Sequence, residues 1–213
     1  MSSISVAGDV SGAISIAAPS AAGSGTLTLP VATDTLVGKA TTDTLTNKSI
    51  AATQLTGTIA ASVLPAGSVL QVVNSQTGAV ATTTTTTPID DTIPQITEGG
   101  QFLSLAITPI SATSKLLFEI VLMISTSGAN STIVALFQGA TANAIAAAMT
   151  NSGATLNTTA ALNYFMTSGT TSSTTFTVRA GPSGGTLTVN GNGGSRYLGG
   201  VQYSSITITE IAA

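Results

Sequence analysis

The 213-residue chain contains no cysteine, no histidine and no tryptophan, and it has very few charged residues. Without cysteine, disulfides and thiolate metal sites are excluded, and without histidine neither a Ser-His-Asp triad nor the usual zinc sites can form. Charged residues make up 6% of the sequence, against roughly 25% in ordinary soluble proteins. Because charge keeps a monomer soluble, we expect much of this neutral surface to be buried between identical chains.

Charge and hydropathy also bear on partners and location. The net charge is −3 and the five basic residues are spread singly, so there is no electrostatic footprint for nucleic acid. The longest apolar stretch, LLFEIVLMI, is interrupted by Glu119 and is too short to span a bilayer, so we expect no membrane insertion. The first ten residues lack the basic and apolar regions of a signal peptide, and we expect synthesis in a cytoplasm.

Alternation of apolar and small polar residues dominates the sequence. It occurs in short stretches bounded by Gly, Pro, Ser or Asn, which is typical of half-buried strands, and it predicts an all-β protein. Residues 140–149 are rich in Ala and are expected to form either one helical turn or an irregular loop. The Thr run at 82–87 is predicted to be a strand, because Thr is β-branched. The alternating pairs are Ile4 and Val6, Ile14 and Ile16, Leu27 and Leu29, Phe176 and Val178, Leu187 and Val189, and Ile206 and Ile208.

Two regions of the chain differ in composition. The first has short strands and closely spaced glycines, and no aromatic residue occurs before Phe102. We therefore predict an extended, β-rich N-terminal region over residues 1–64 and a compact head domain over residues 65–213. Short strands without large side chains cannot offset their ordering entropy alone, so we expect the N-terminal region to pack against neighbouring copies of itself.

The stretch SKLLFEIVLMI predicts a strand that is apolar on both faces along half its length. One face carries alternate apolar residues from Leu116 to Ile124, and the other carries Leu117, Val121 and Met123. A strand of this kind is buried on both faces, but in a two-layer sandwich only one face meets the other sheet. We expect a neighbouring subunit to cover Leu117, Val121 and Met123; a loop or the N-terminal segment is the alternative cover.

The acidic residues do not form a recognisable catalytic set. Asp90 and Asp91 are adjacent, so on a strand they would point to opposite faces, and we expect them to end a strand or bond to turn backbone before Pro94. A cation shared with Glu98 is the alternative. Glu210 is expected at a strand end or at the rim of a sheet. No carboxylate pair is placed for glycan cleavage, so we predict neither enzymatic activity nor a metal or cofactor site.

The glycine-rich stretch GPSGGTLTVNGNGGSRYLGG, residues 181–200, contains no phosphate-binding motif. We expect hairpin turns in it, with Asn190–Gly191 as the strongest signal. Arg196 and Tyr197 lie in this stretch and Tyr203 lies just beyond it. Tyr and Arg are frequent at binding hot spots, so these three are the candidate receptor-facing residues; turn or core packing is the other interpretation.

Several stretches resemble fibre proteins of tailed bacteriophages. AISIAAPSAAGSGTLTLPVATDTLV, followed by TTDTLTNKSI, is similar to their repeat-like N-terminal region, and LPAGSVLQVV is similar to the junction with their C-terminal domain. TTTTTTPIDDTIPQITEGGQFLSLAITPISATSKLLFEI, VALFQGATANAIAA and GSRYLGGVQYSSITITEI resemble a distal domain of virion fibres. Together these stretches cover most of the chain.

The resemblance implies a homotrimer with a jelly-roll β-sandwich head, similar to C1q and tumour-necrosis-factor heads, on a β-rich stalk. It implies a virion location, attachment to a baseplate, tail adaptor or capsid protein through the N-terminal region, and a head that meets host-surface glycans. The expected function is therefore that of a short trimeric tail fibre made in the host cytoplasm. A capsid-decorating fibre of the same fold is the alternative, followed by a glycan-cleaving tailspike and a bacterial trimeric adhesin.

Overall fold

The computed structural model describes residues 3–7, 13–17, 49, 51, 53, 57, 59–153 and 155–213, the first two ranges as backbone. The chain divides into two units, residues 1–56 and 57–213. In the first unit, β1 (Ser3–Ala7) and β2 (Ala13–Ala17) pair antiparallel, where alternation predicted strands. The strand predicted at Leu27 and Leu29 lies outside the described residues. The organisation into residues 1–64 and 65–213 stays a prediction.

The second unit is an antiparallel β-sandwich of jelly-roll type, so the expected all-β class is confirmed. Short 3-10 turns occur at Ala61–Val63 and Leu198–Gly200. The strands are β3 (Val69–Thr77), β4 (Ala81–Thr83), β5 (Gly100–Ile107), β6 (Lys115–Thr126), β7 (Asn130–Gln138), β8 (Ala146–Ser152), β9 (Thr158–Thr167), β10 (Thr174–Pro182), β11 (Leu187–Val189), β12 (Gly191–Asn192), β13 (Ser195–Arg196) and β14 (Ser204–Ile211).

Two sheets form the layers of the sandwich. The small sheet has the order β5-β10-β7-β8. In the large sheet β6 is central, and β9 pairs along one side of it. On its other side, the first half of β6 pairs with β14 and the last residues pair with β11. Beyond these, β3 pairs with β14 and β4 pairs with β11. The strand predicted from SKLLFEIVLMI is therefore the most fully paired strand of the large sheet.

The core between the sheets follows the predicted alternation. On β6 the even-numbered residues from Leu116 to Ile124 point into the core, and on β14 Ile206 and Ile208 are fully buried. Phe118 and Phe176 come from opposite sheets and meet edge to face, with ring centroids 4.7 Å apart, an arrangement that stabilises aromatic pairs beyond their area burial. The same cluster includes Leu103, Ile107, Leu116, Ile120, Leu122, Ile124, Val134, Leu136, Leu162, Val178, Leu187 and Val189.

Two local predictions are corrected by the strand bounds. For residues 140–149 the irregular-loop alternative agrees with the structure up to residue 145 and no helix is present, but residues 146–149 belong to β8, whose first residue Ala146 pairs with Leu136. The Thr run forms a strand only at Ala81–Thr83. Thr87 instead donates its backbone N–H to the Pro182 carbonyl, and its side chain is buried, so the run leaves the large sheet to meet the end of β10.

β7 is buried on both faces, and here the second face is covered by the chain itself. Ile133, Ala135 and Phe137 alternate with the core residues of β7 yet are buried. The crossing segment, residues 84–99, bonds to the small sheet near both of its ends: Thr87 donates its N–H to the Pro182 carbonyl at the end of β10, and Ile96 donates to the Ala142 carbonyl after β7. Arg179, on the outward side of β10, donates to the carbonyls of Glu98 and Gly99 at 3.0 and 2.7 Å.

No helix within the described ranges has the length and apolar character needed to cross a membrane.

Candidate functional site

The outer face of the large sheet is formed by the side chains of β3, β14, β6 and β9 that point away from the sandwich core. Leu117, Val121 and Met123, the predicted interface residues, all lie on it, because they alternate with the core residues of β6. Each of the three is half-buried within its own chain. The structure thus brings them together on one face, and their contact with a neighbouring subunit stays a prediction.

An apolar row crosses this outer face. The strand register places Leu117 between Phe165 on β9 and Thr209 on β14, and Val72 on β3 follows Thr209. Phe165 is 53% exposed and Val72 is 57% exposed. The row is apolar except for Thr209, and a large aromatic and a β-branched side chain are left open at its two borders. Exposed apolar surface of this kind marks interaction sites.

Two charged side chains of β6 lie on the same face. Lys115 donates from Nζ to the Thr167 hydroxyl at 2.7 Å. Glu119 is exposed and lies in register with Asn163 and Thr207. Four residues along a strand span about 13 Å, so Lys115 and Glu119 do not form an ion pair with each other within one chain.

The candidate receptor-facing residues lie in the apical loop, residues 193–203, which comprises the turn and second strand of the small hairpin of β12 and β13 and the segment up to β14. Arg196 ends β13 and is exposed; Tyr197 is 40% exposed and Tyr203 is 53% exposed. Core packing is therefore excluded for both tyrosines. Leu198 and Val201 between them are also exposed, so the loop presents aromatic and aliphatic groups beside one guanidinium.

The hairpin turn is not at Asn190–Gly191 as predicted, but at Gly193–Gly194. Both of these glycines have positive φ, 56° and 79°, as a two-residue turn between twisted strands requires. Asn190 also has a left-handed φ of 59°, but it forms a bend between β11 and β12, which do not pair with each other as a hairpin.

Asn190 fixes the base of the apical loop, a role that sequence reasoning missed. Its side chain is fully buried and donates to the carbonyls of Thr77 and Ala79 at 2.8 and 3.0 Å. It accepts from the Ser204 hydroxyl at 2.8 Å, and its backbone N–H donates to the Met123 carbonyl. One residue therefore joins the β3–β4 turn, the middle of the large sheet and the start of β14.

A second contact packs the apical loop against the β3–β4 turn. A Cβ placed on Gly78 would lie 2.1 Å from the Gly200 carbonyl oxygen. No side chain fits in that space, so Gly78 is required for the close approach of the two backbones. The loop is thus supported from two directions while Tyr197 and Tyr203 stay accessible.

The apical loop lies at the opposite end of the sheet from the residues that lead into the head. Val69 at the start of β3 pairs with Ile211, and Thr77 at its end pairs with Ser204. Gly67 also donates to the Ala212 carbonyl. The eight steps along β3 span about 26 Å, which is the separation between this basal end and the apical loop.

Glu210 is the second-last residue of β14, at the basal end, so the expected strand-end position agrees with the structure, but its side chain is buried and does not lie at an exposed rim. It has 0% exposure, and its carboxylate accepts from the Gln71 amide and the Ser114 hydroxyl, each at 2.5 Å. The backbone N–H groups of Ile110 and Ser111 also donate to it, at 2.8 and 3.2 Å. The carboxylate thereby holds the β5–β6 loop against β3 and β14.

The pKa of Glu210 reflects two opposing effects. Burial raises it, but the hydrogen bonds from the Ser114 hydroxyl, the Gln71 amide and two backbone N–H groups together outweigh burial, so the pKa lies below its ordinary value. With four neighbouring groups donating to it and no catalytic partner among them, this carboxylate acts as a structural acceptor.

The other acidic residues within the described ranges are engaged in turns or exposed. Asp90 accepts from the backbone N–H and the hydroxyl of Thr92, which confirms its expected role in a turn and lowers its pKa. Glu98 accepts from the Gln95 N–H at 3.0 Å. A shallow groove of about 430 Å³ runs between residues 90–94 and 144–147. Among the described residues there is no group of three or more acids that could hold a metal ion.

No protein-family model and no curated protein matches the chain. Solved structures that are similar to it include two from infectious bursal disease virus. One is of the Gx strain (14% identity, TM-score 0.33, covering 67% of this chain and 37% of that chain), and one is of the T13 viral particle (16% identity, TM-score 0.34, covering 68% and 37%). A Bacillus endospore appendage described as a disulfide-linked pilus is also similar (13% identity, TM-score 0.29, covering 70% and 96%). The chain thus spans little more than a third of the two viral chains. Identities and TM-scores of this size describe a distant similarity.

Proposed function

We propose that the chain is a virion structural protein: a short homotrimeric fibre of a tailed bacteriophage that attaches through residues 1–64 and displays its head on the outside of the particle. The resemblance of the sequence to phage fibres, which extends over both regions, supports this class. The sandwich architecture of the head agrees with the jelly-roll expected of such fibres.

The observation that carries self-association is the outer face of the large sheet, while the number of three copies comes from the resemblance to phage fibres. Leu117, Val121, Met123, Phe165 and Val72 lie on one side of one sheet, and within the described residues no segment covers Phe165 or Val72. The small sheet provides the contrast, because its outward apolar residues on β7 are buried by the same chain. An apolar face left open in a chain with so little charge is best covered by further copies of the same face.

The apical loop is the part of the head proposed to meet the host surface. Tyr197 and Tyr203 offer exposed aromatic faces and Arg196 offers hydrogen-bond donors, which suit the apolar faces and hydroxyl groups of a surface glycan. The loop is separated from the basal end by the full length of β3. With three loops per fibre and several fibres per particle, weak individual contacts would add to a strong overall attachment.

The first test is the mass of the purified full chain in dilute buffer, measured by multi-angle light scattering. We expect a mass of three chains for the wild type and dissociation in Phe165→Asp, which places a charge on the apolar row of the proposed interface. Thr175→Asp, on the exposed outer side of the small sheet, is the matched control and should remain trimeric. A folded wild-type monomer at micromolar concentration would contradict the trimer.

The second test is the position on the particle, by electron microscopy with gold-tagged antibody. Label at the tail supports the host-contacting fibre. Label over the capsid would replace it with the alternative of a capsid-decorating fibre of the same fold. Binding of the head to host glycans is checked separately with Tyr203→Ala, which should weaken attachment without changing the mass of the assembly.

A further inference from the structure

The apical hairpin contains two Asn-Gly dipeptides only two residues apart, Asn190–Gly191 and Asn192–Gly193. Asn-Gly is the dipeptide in which the asparagine side chain is most open to attack by the following backbone nitrogen, because glycine has no side chain to shield that nitrogen. The same chemistry is thus available twice in one hairpin, and the structure treats the two positions very differently.

The first dipeptide is held rigidly. The Asn190 side chain is fully buried and makes hydrogen bonds to Thr77, Ala79 and Ser204. Gly191 is also buried, and a Cβ on it would lie 2.0 Å from the Ser195 carbonyl oxygen, which shows how closely the backbone is packed there. For the Asn190 side chain to reach the Gly191 nitrogen, all three of its contacts would have to break inside the protein.

The second dipeptide lies at the tip of the turn. Gly193 is exposed and has a positive φ, and Asn192 is only half-buried. Asn192 makes one side-chain hydrogen bond, from Nδ2 to the Thr155 carbonyl in the exposed β8–β9 loop. A single solvent-exposed bond is all that holds this side chain, and water has free access to the products of any reaction there.

We propose that Asn192 is a site of spontaneous deamidation, while Asn190 is protected by the fold. In this reaction the Gly193 backbone nitrogen loses its proton to solvent and forms a bond to Cγ of Asn192. The Cγ–Nδ2 bond breaks, and the leaving nitrogen takes up one proton from solvent and departs as ammonia. Water then opens the resulting succinimide at either carbonyl and leaves aspartate or isoaspartate. The only co-reactant is one water molecule, and no oxidation or reduction occurs.

The product changes the apical surface of the head. A carboxylate at position 192 has no N–H to donate to the Thr155 carbonyl, and two oxygens would then face each other, so the hairpin is released from the β8–β9 loop. The new negative charge arises in the hairpin that carries Arg196, since Gly191 and Arg196 are paired across it. If isoaspartate forms, the main chain runs through the side-chain methylene group, so the backbone is one methylene longer and the pairing of residue 192 with Ser195 is lost.

The experiment is incubation of the full-length protein at physiological temperature and mildly alkaline pH, followed by peptide mass spectrometry that separates aspartate from isoaspartate. We expect conversion at position 192 with position 190 intact. The same protein incubated in concentrated urea is the control, because unfolding should make both positions react at similar rates. Conversion at both positions in the folded protein, or at neither while the urea sample reacts, would overturn the proposal.

Two variants separate the modification from a loss of folding. Asn192→Gln keeps an amide that can donate to the Thr155 carbonyl but forms the cyclic intermediate far more slowly, so the signal at position 192 should disappear. Asn192→Asp mimics the product directly. Hydrogen exchange in residues 155–157 should be faster in Asn192→Asp than in Asn192→Gln; equal exchange in the two would rule out the proposed release of the β8–β9 loop.

Discussion

The Ser114 hydroxyl donates to the carboxylate of Glu210 at 2.5 Å, which joins the residue just before β6 to the end of strand β14. Both side chains are fully buried. Since the Ile110 and Ser111 N–H groups converge on the same carboxylate, the β5–β6 loop has its backbone donors satisfied by one side chain rather than by a strand. A buried charge is tolerated here because donors surround it.

Replacement of Glu210 by Gln is expected to lower the free energy of unfolding by about 2–3 kcal/mol, because an amide nitrogen would face donors that a carboxylate accepts from. Denaturant unfolding followed by circular dichroism measures this. Asp91→Asn is the matched control, since Asp91 is exposed, and its effect should stay within about 0.5 kcal/mol. Equal stability of Glu210→Gln and the wild type would show that the carboxylate charge contributes nothing.

The same carboxylate should make the head sensitive to acid. The pKa of Glu210 is lower in the folded protein than its ordinary value of 4.5, so its contribution to stability is complete above that value. It is lost as the pH falls through the lowered pKa, because the unfolded chain then binds the proton more readily. Unfolding free energies measured between about pH 6 and pH 3 should fall in the wild type and fall less in Glu210→Gln.

Asp90 does not confuse this comparison. The Thr92 hydroxyl and backbone N–H lower its pKa as well, but Asp90 is present in both proteins, so the difference between their pH profiles reports Glu210. Parallel profiles in the two proteins would mean that Glu210 does not titrate in the range that its hydrogen bonds predict.

Asn190 is expected to be critical for the apical end of the head. Asn190→Gly keeps the left-handed backbone conformation but removes the donors to Thr77 and Ala79, and we expect it to cost about 2–3 kcal/mol of unfolding free energy. Asn190→Asp should cost more, because a carboxylate would face the same two carbonyl oxygens. Thermal and denaturant unfolding give the order; a more stable Asp variant would contradict the hydrogen-bond assignment.

Much of the fold could be predicted from alternation alone. The strand pattern around Phe176, Leu187 and Ile206 places strands correctly because period 2 has one simple cause, a sheet with one buried face. The same alternation puts Glu210 on the buried side with Ile206 and Ile208. Its partners come from residues 71 and 110–114, however, and no local pattern shows which distant donors will surround an acid.

The sequence could not distinguish two ways of covering a strand that is apolar on both faces. β6 and β7 both have this character, yet the outer side of β7 is buried beneath its own chain while Phe165 beside β6 is exposed. Nothing in either strand shows where the crossing segment will lie. Asn190–Gly191 failed as a hairpin signal for a similar reason, since the side chain of Asn190 is used for contacts far away in sequence.

The crossing segment should depend on Arg179. Its guanidinium donates to two consecutive carbonyls, of Glu98 and Gly99, and Arg179→Lys keeps the charge but loses the fixed planar pair of donors. We expect Arg179→Lys to expose residues 84–97 to faster hydrogen exchange and limited proteolysis, with little change in the core strands. Arg196→Lys, on the exposed apical loop, is the control. Unchanged exchange in the segment would show that its other backbone hydrogen bonds suffice.

Leu116 and Leu117 are neighbours on β6 that point to opposite faces, and they separate folding from assembly. Leu116 is 1% exposed in the core, so Leu116→Ala should lower the unfolding free energy by about 2–5 kcal/mol through lost burial and a cavity. Leu117 is half-buried on the outer face, so Leu117→Ala should affect the folding of a single chain less and weaken the trimer more. Light scattering over a dilution series, together with denaturant unfolding, gives both quantities. If Leu117→Ala leaves the concentration dependence of the assembly unchanged while Leu116→Ala destabilises the fold as expected, the outer face of the large sheet is not the interface, although the sandwich itself stands.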